Sequence, residues 1–204
     1  MNNLISKRVN IGPSYKLDKG VIIGYLPSRK IKSRAVYIGK KALIRSGTVI
    51  YAGTRIGDNL ETGHNIIIRE MNIIGDDFKI WSNSVIDYGC RIGNGVRIHS
   101  NVYLAQYTII EDDVFLGPGT ITANDPHPIC TKCMKGPTIK RGVKVGINAT
   151  LLSHIVIGED SLIGAGSVVT KDIPPRSVVY GNPAKVVKTI DELKCRWGIK
   201  EKVY

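Results

Sequence analysis

Aromatic residues, long apolar runs and cysteines are all scarce in this chain. Aromatics make up 6% of the 204 residues, which is little for the bulky core of an ordinary globular domain. No apolar run approaches the ~20 residues of a membrane-spanning helix, and residues 1–10 lack the apolar region of a secretory signal. The four cysteines are too few and too unevenly spaced for a disulfide framework. These absences predict a cytoplasmic protein without a membrane partner.

Positive charge is in excess but is not concentrated. The formal net charge is +12 at pH 7, and the basic residues are scattered, with no polybasic tail and no basic run interleaved with aromatics. Such an excess is compatible with nucleic acid, an anionic membrane surface or small polyanions. The scattered pattern favours small polyanions, so we expect no nucleic-acid partner.

Aliphatic residues recur every six positions from Ile38 to Leu116, and Thr62 is the one leading residue that is not Ile or Leu. Neither a helix nor an ordinary strand has this period, so the stretch is an internal repeat. Three residues after each aliphatic comes Gly, Asn or Asp, except at Lys41, Met71 and Tyr107. Gly, Asn and Asp tolerate positive φ at low steric cost, so each block is predicted to contain a tight corner.

Three such blocks close a triangular coil, and successive coils stack ~4.8 Å apart as parallel strands. The leading aliphatics then lie above one another and form the core. An earlier coil is predicted from about Ile11, and the repeat resumes at Ile139. Between these stretches the phase breaks twice, which predicts protruding loops over about residues 29–37 and 123–138.

The end of the chain departs from the repeat. The β-helix domain is predicted to cover residues 1–183. In residues 184–204, apolar residues three or four apart at Val187, Ile190, Leu193 and Trp197 predict a short amphipathic helix. We expect this helix to cap the open end of the prism, as terminal units of solenoids do.

Several motifs resemble those of a known family. They are the blocks Ile-Gly-Asp-Asn at 56–59, Ile-Gly-Asn-Gly at 92–95 and Ile-Gly-Ala-Gly at 163–166, the run Thr-Ala-Asn-Asp-Pro-His-Pro at 122–128, and Gly-Asn-Pro-Ala-Lys at 181–185. The sequence resembles the hexapeptide-repeat acyltransferases, most of all the nucleotide-sugar N-acetyltransferases. The resemblance implies an all-β, left-handed parallel β-helix and a homotrimer with acetyl-CoA lying between neighbouring prisms. It also implies transfer of acetyl to the amino group of a UDP- or dTDP-linked amino sugar.

Three residues are candidates for the chemistry. His64 takes the outward third position of the block led by Thr62 and could act as a base or an orienting group, because imidazole titrates near neutral pH; a surface histidine at a turn is the alternative. Asn124 and Asp125 open the second loop and could bind sugar hydroxyls or the attacking amine. Capping of the loop before Pro126 is the alternative for both.

The resemblance also implies a cofactor surface. Small residues would let the pantetheine arm of CoA lie against the backbone, and basic residues near the end of the prism suit its phosphates. The residues concerned are Gly146, Ala149, Gly164, Ala165, Lys171, Arg176 and Lys185.

A second chemistry is open in the loop at 123–138. The spacing His127-x2-Cys130-x2-Cys133 is compatible with tetrahedral zinc, with Asp125 as a fourth ligand. Acetyl transfer requires no metal, so a reduced thiol pair is favoured and no metal is expected. Two other functions also stay open: transfer to another small acceptor, either an amino acid or a sugar hydroxyl, and a non-catalytic basic solenoid that binds a protein or nucleic acid.

Overall fold

The computed structural model describes residues 2–195 and 197–199. Within this part of the chain, 27 short strands stack into three sheets, in which every pairing is parallel except that of the last two strands, and one 3-10 helix spans Ile190–Glu192. No helix among these residues has the length and apolarity needed to cross a bilayer. The strands are β1 Leu4–Ile5, β2 Val9–Ile11, β3 Lys16–Leu17, β4 Ile22–Tyr25, β5 Val36–Ile38, β6 Leu43–Ile44, β7 Val49–Tyr51, β8 Arg55–Ile56, β9 Glu61–Thr62, β10 Ile67–Ile68, β11 Ile73–Ile74, β12 Lys79–Ile80, β13 Val85–Ile86, β14 Arg91–Ile92, β15 Arg97–Ile98, β16 Tyr103–Leu104, β17 Ile109–Ile110, β18 Phe115–Leu116, β19 Ile121–Thr122, β20 Thr138–Ile139, β21 Lys144–Val145, β22 Thr150–Leu151, β23 Val156–Ile157, β24 Leu162–Ile163, β25 Val168–Val169, β26 Ser177–Gly181 and β27 Ala184–Thr189.

Up to β25, every third strand belongs to the same sheet. Face 1 runs β1-β4-β7 to β25, face 2 runs β2-β5-β8 to β23, and face 3 runs β3-β6-β9 to β24 and then β26 and β27. Ile67 pairs with Val85 and Val85 with Tyr103, so one coil takes 18 residues. We call the turns from face 1 to face 2 corner 1, those from face 2 to face 3 corner 2, and those from face 3 to face 1 corner 3.

The leading aliphatics form the core, as predicted. Ile44, Ile50, Ile68, Ile80 and Ile86 are among the largest fully buried side chains. Burial of each such side chain contributes ~1.5–3 kcal/mol before chain entropy is subtracted, so a thin prism can be stable without a globular core. Thr62 is buried too, and its hydroxyl accepts a hydrogen bond from the Arg45 amide at 2.9 Å.

The predicted corners are present even where the residue type is unfavourable. Lys41, Met71, Tyr107 and His154 all have φ between 58° and 67°, in the left-handed region that Gly and Asn prefer. The stacked coils on either side impose the turn, so the side chain does not decide it. Asp172 comes three residues after the leading aliphatic Val169 and is the next expected corner residue, but it does not share this conformation. The next left-handed residue is Arg176, because the last coil is shorter than the others.

Both phase breaks are loops at corner 1. The first covers residues 26–35, between β4 and β5, so it begins and ends slightly earlier than predicted. The second covers residues 123–137, between β19 and β20, close to the predicted range. Across them the pairing interval grows from 18 residues to 27 at Ile22 and Val49 and to 29 at Ile109 and Thr138, and the core is otherwise uninterrupted.

The predicted C-terminal helix is wrong for the described residues. Residues 184–189 form β27, which pairs antiparallel with β26 and covers the last edge of face 3. An uncovered strand edge leaves backbone groups unpaired, and this hairpin satisfies them better than a helix would. The 3-10 helix then buries Ile190, while Trp197 is exposed. Arg196 and residues 200–204 of the predicted helix lie outside the described residues.

Candidate functional site

The candidate catalytic residues lie on two different corners. His64 is on corner 3, between β9 and β10, whereas Asn124 and Asp125 are on corner 1, where the second loop leaves the prism. On corner 3, the residue three coils above His64 is Pro118, which lies just before β19. Asn124 follows β19 on corner 1, so it lies at least three coils above His64. At ~4.8 Å per coil this is an axial distance of about 14 Å. Within one chain, therefore, His64 and Asn124 do not meet at one reacting carbon.

His64 is exposed at a small cleft. Its Nδ1 lies 2.8 Å from Ser46 Oγ, and its backbone amide donates to Ser82 Oγ at 3.1 Å. The cleft has a volume of about 180 Å³ and includes Glu61, Lys79 and Trp81 among its walls. When Nδ1 carries the proton and donates it to Ser46, Nε2 has a free lone pair, as a base requires. Trp81 stacks on His99 with ring centroids 5.2 Å apart.

A ladder of polar side chains follows corner 1 upward from Asp87. Asp87, which is 5% exposed, accepts hydrogen bonds from the Tyr88 amide at 2.8 Å, from Tyr103 Oη at 2.9 Å and from Gln106 Nε2. Gln106 Oε1 in turn accepts a hydrogen bond from Asn124 Nδ2. Burial, and then the hydrogen bond to Asp87, raise the pKa of Tyr103 to about 12, so this hydroxyl remains a donor at neutral pH.

The Asp87 carboxylate fixes the direction of every bond in this ladder. An ionised carboxylate only accepts hydrogen bonds, so Gln106 must turn its NH₂ group towards Asp87 and its oxygen away. That oxygen can be satisfied only by a donor, so Asn124 turns its own NH₂ group towards Gln106. Asn124 Oδ1 is thereby left facing away from the ladder, without a partner among the described residues. The ladder ends in a hydrogen-bond acceptor.

The first loop reaches this ladder from below. Arg29 Nε lies 2.7 Å from Glu70 Oε1, and the Arg29 guanidinium sits 3.5 Å from the centre of the Tyr88 ring. Glu70 is fully buried and also receives two hydrogen bonds from Arg69. The Arg29 side chain remains 39% exposed, but its guanidinium is paired within the chain, and it anchors the loop along corner 1.

Asp125 caps the second loop. Its Oδ1 accepts from the His127 amide at 3.1 Å and its Oδ2 from the Cys130 amide at 2.6 Å. Within the chain, Asp125 therefore makes the contacts of a loop-capping residue, which was the alternative to a role in substrate binding. Both carboxylate oxygens face loop amides, which leaves Asn124 as the residue of the pair that presents an acceptor to solvent.

The predicted cofactor residues divide between several places. Gly146, Gly164 and Ala165 share corner 3, and Tyr180 packs over Gly164. The Ala149 side chain is fully buried in the core, so only its backbone could contact a ligand. The basic residues are on three separate edges: Lys171 follows β25 at corner 1, Arg176 pairs with Asp191 near corner 2, and Lys185 pairs with Tyr180 across the hairpin, near corner 3.

Sequence reasoning missed Asp87, Tyr103 and Gln106, although a signal was present. Between residues 38 and 169, most left-handed corner positions are occupied by Gly, Asn or Asp, and the exceptions are Lys41, Met71, Tyr107 and His154. Lys41 is on corner 2, whereas the other three are on corner 1. The residue types at corner 1 are therefore not explained by turn geometry alone. Recognising this requires assigning each block to its corner, not only finding the period.

Comparison with known proteins agrees with this architecture. A family model described as bacterial transferase hexapeptide (six repeats) matches residues 73–106 and 136–171. No curated protein matches the chain in sequence. Among solved structures, a hexapeptide-repeat acetyltransferase of Vibrio cholerae has 26% identity and a TM-score of 0.51, over 56% of this chain and 71% of that one. A structure of the same Vibrio protein in complex with acetyl-CoA has 25% identity and a TM-score of 0.47, over 62% and 69%.

Two more similar structures are of named acetyltransferases. A maltose O-acetyltransferase of Clostridium difficile 630 has 30% identity and a TM-score of 0.47, over 62% of this chain and 67% of that one. A serine acetyltransferase in complex with cysteine has 25% identity and a TM-score of 0.47, over 52% of this chain. The matched part spans only 41% of that enzyme's length. From the family model on both sides of the second loop and the stacked 18-residue coils, the chain belongs to the hexapeptide-repeat acyltransferase family and has its left-handed β-helix fold.

Proposed function

We propose that the chain is an acetyl-CoA-dependent N-acetyltransferase whose acceptor is the amino group of a nucleotide-linked amino sugar. In this reaction a neutral amine attacks the thioester carbonyl carbon, the carbon–sulfur bond breaks, and the departing CoA thiolate takes up the proton. The family and the Vibrio cholerae acetyltransferase support acetyl transfer. A cytoplasmic location follows from this choice of cosubstrate.

We infer the amine acceptor from the unpaired side-chain oxygen of Asn124. An amine held through one N–H to Asn124 Oδ1 keeps its lone pair free and directed away from the ladder, as attack on a carbonyl requires. The amide oxygen attracts a donor and repels a carboxylate or a carbonyl. Because Asp87 and Gln106 fix its orientation in advance, the acceptor loses less freedom on binding.

The first loop supports a nucleotide-linked acceptor. Lys30, Lys32 and Arg34 are exposed, and the loop that carries them is held along corner 1 by Arg29, below the ladder. A sugar whose amine is at Asn124 would direct its diphosphate towards a neighbouring part of corner 1. Free lysine and arginine side chains there are suited to bind phosphate oxygens.

The cosubstrate is proposed to lie along corner 3. Gly146 and Gly164 are half-buried and Ala165 is exposed at that corner, and Lys185 is the basic residue of the predicted set that lies nearest to it. Lys171 and Arg176 face other edges, and Arg176 is already paired with Asp191. We therefore assign the CoA phosphates to Lys185 first. The level of Gly146 is also close to that of Asn124, since β21 follows β19 within one coil.

A threefold assembly would bring the two corners together. The outward row of face 1 consists of apolar or uncharged residues along its whole length, and Ile67, Tyr103 and Ile121 are 36–47% exposed. The outward rows of the other faces contain charged residues such as Arg91 on face 2 and Arg97 on face 3. We propose that face 1 packs against neighbouring copies in a homotrimer, so that corner 3 of one copy faces corner 1 of the next at the same level.

His64 is proposed as the base for a reaction at corner 3, with Nδ1 held by Ser46. The distance of three coils makes this an alternative to a reaction at Asn124, and we place the amine at Asn124 because the ladder and both loops are there.

Transfer to a hydroxyl of another small acceptor is the second candidate function, because Asn124 Oδ1 accepts a hydrogen bond from a hydroxyl as well as from an amine.

A screen of acceptors tests this proposal. Purified protein with acetyl-CoA is supplied with UDP- and dTDP-linked amino sugars, with the matching hydroxyl sugars, and with serine and maltose, while release of free thiol is followed. We expect turnover with at least one nucleotide amino sugar and none with its hydroxyl counterpart. Turnover with serine or maltose alone would replace the proposal by O-acetylation, and no thiol release with any acceptor would contradict it.

A further inference from the structure

The second loop gathers three metal-ligating side chains at its tip. One ligand atom each from His127, Cys130 and Cys133 lies within 4.8 Å of the others, and the two sulfur atoms are 2.7 Å apart. His127 is exposed and the two cysteines are partly buried. The acetyl-transfer chemistry uses none of the three. Their convergence is therefore a feature that the proposed function does not explain.

The backbone of the loop is built to hold this arrangement. The Cys133 amide donates to the Cys130 carbonyl at 3.1 Å, which closes a tight turn between the two sulfur ligands. Asp125 receives the amides of His127 and Cys130, so it fixes the chain on either side of the histidine. His154 Nε2 donates to the Cys133 carbonyl oxygen at 2.7 Å and ties the tip to the prism. Four polar contacts thus orient a segment with no strand or helix of its own.

We propose that His127, Cys130 and Cys133 bind a zinc ion. Two thiolates and an imidazole at Cys-x2-Cys spacing are preferred ligands of zinc, whereas magnesium and calcium prefer oxygen. Two thiolates on a tetrahedral zinc are ~3.8 Å apart, so the sulfur atoms need to separate by only about 1 Å. Cys130 and Cys133 lose their protons to solvent on binding, and no oxidation or reduction takes place.

The fourth coordination position is not supplied by Asp125. Its two oxygens are committed to loop amides, and the cluster that converges contains only the histidine and the two cysteines. A site with three protein ligands leaves one position to water or to an incoming ligand. The sequence expectation of Asp125 as the fourth ligand is therefore replaced by a role outside the first coordination sphere, where it orients the ligand-bearing backbone.

A bound zinc ion would restrict the loop that starts beside Asn124. The loop begins at Asn124, whose carbonyl oxygen accepts the Lys135 amide at 2.8 Å and so closes the base of the loop. A metal between residues 127 and 133 removes conformational freedom from the segment that this bond closes. Zinc binding is expected to stabilise the folded protein by mass action.

Metal content and spectroscopy test the site independently of activity. Untagged protein purified under reducing conditions without chelators should contain one zinc per chain, and Cys130→Ser, Cys133→Ser and His127→Asn should each lose most of it. Replacement by Co²⁺ should give a thiolate-to-metal charge-transfer band and the strong visible bands of a tetrahedral centre. Loss of the charge-transfer band in Cys133→Ser would assign it to this loop.

Two controls keep the test decisive. His99→Asn and Cys195→Ser alter a histidine and a cysteine outside the loop and should retain one zinc per chain. A melting temperature that falls on chelation in the parent protein but not in Cys130→Ser would confirm that the loop holds the ion. A zinc content near zero in folded, reduced protein, or a Cys130–Cys133 disulfide found by mass spectrometry in that preparation, would overturn the proposal.

Discussion

Asp87 and Asn124 lie two coils apart on corner 1, and Gln106 alone joins their side chains. The carboxylate at one end of this ladder determines which atom Asn124 presents at the other end. A buried acidic group can in this way set the specificity of a surface amide without touching the ligand. Corner 1 therefore contains both loops that interrupt the repeat and the ladder that ends at Asn124.

The first prediction concerns the direction of the ladder. Asp87→Asn replaces an obligatory acceptor by a group that can also donate, so Gln106 and Asn124 are free to flip. We expect kcat/KM for the acceptor to fall by about 10²-fold, because a misdirected amide leaves the amine unpaired, while KM for acetyl-CoA is unchanged. Steady-state kinetics with each substrate varied in turn measures both values.

Tyr103→Phe is the matched control for this change. It removes one donor to Asp87 but leaves the carboxylate and its direction intact. The acceptor kcat/KM should then fall by less than about 10-fold. Equal losses in the two variants would mean that the ladder contributes stability only.

The second prediction separates His64 from Asn124. Because the two are about 14 Å apart along the prism, only one of them can act on the amine. Asn124→Ala is expected to lower kcat by about 10²-fold or more, since it removes the group that orients the amine. If His64 is the base, His64→Ala lowers kcat by 10-fold or more, in the range of ~10²- to 10⁴-fold for general bases.

The comparison is made at saturating concentrations of both substrates. His64→Ala with unchanged kcat would remove His64 from the chemistry and leave the amine at corner 1. A loss confined to His64→Ala would instead move the reacting centre to corner 3. Far-ultraviolet circular dichroism of both variants checks that the coils remain folded.

Much of the fold could be predicted because its repeat is local. The six-residue spacing and the corner residues give the coil, the core and the corner 1 loops to within a few positions. The ladder could not be predicted, because Asp87, Gln106 and Asn124 are 18 or 19 residues apart and their contact depends on the coil length and the orientation of two amides. The C-terminal strand was missed because its partner is the free edge of face 3, which no local spacing reveals.

The third prediction concerns residues that occupy a glycine-like position. Lys41 has φ of 58°, a conformation that costs a lysine of the order of 1 kcal/mol. Lys41→Asn should raise the free energy of unfolding by about 0.5–1 kcal/mol, because Asn tolerates this conformation. It could also bond to Asn59 one coil above, as Asn59 does to Asp77 at 2.9 Å. Urea denaturation compares it with Lys40→Asn, where the backbone is ordinary and no gain is expected.

The fourth prediction concerns the anchor of the first loop. Arg29→Met removes an ion pair with the buried Glu70 carboxylate and a cation–π contact with Tyr88, while Arg69 continues to pair with Glu70. We expect the free energy of unfolding to fall by about 1–2 kcal/mol, and proteolysis within residues 26–35 to become faster. Lys30→Met changes the charge of the same loop without removing a contact, so it should have little effect. If both variants were equally stable, Arg29 would not be the anchor.

The fifth prediction concerns the trimer and the face through which it assembles. Ile67 and Ile73 occupy equivalent outward positions of the same coil, on face 1 and face 2, and are 36% and 48% exposed. Light scattering of the parent protein should give three times the chain mass of 22.3 kDa. Ile67→Lys should shift the mass towards the monomer, since three added charges would be buried without partners in the assembly. Ile73→Lys should remain trimeric, because face 2 already carries Arg55 and Arg91 in its outward row. Dissociation by Ile73→Lys alone would move the interface to face 2, and it would also remove the reason for expecting corner 3 of one copy to meet corner 1 of the next.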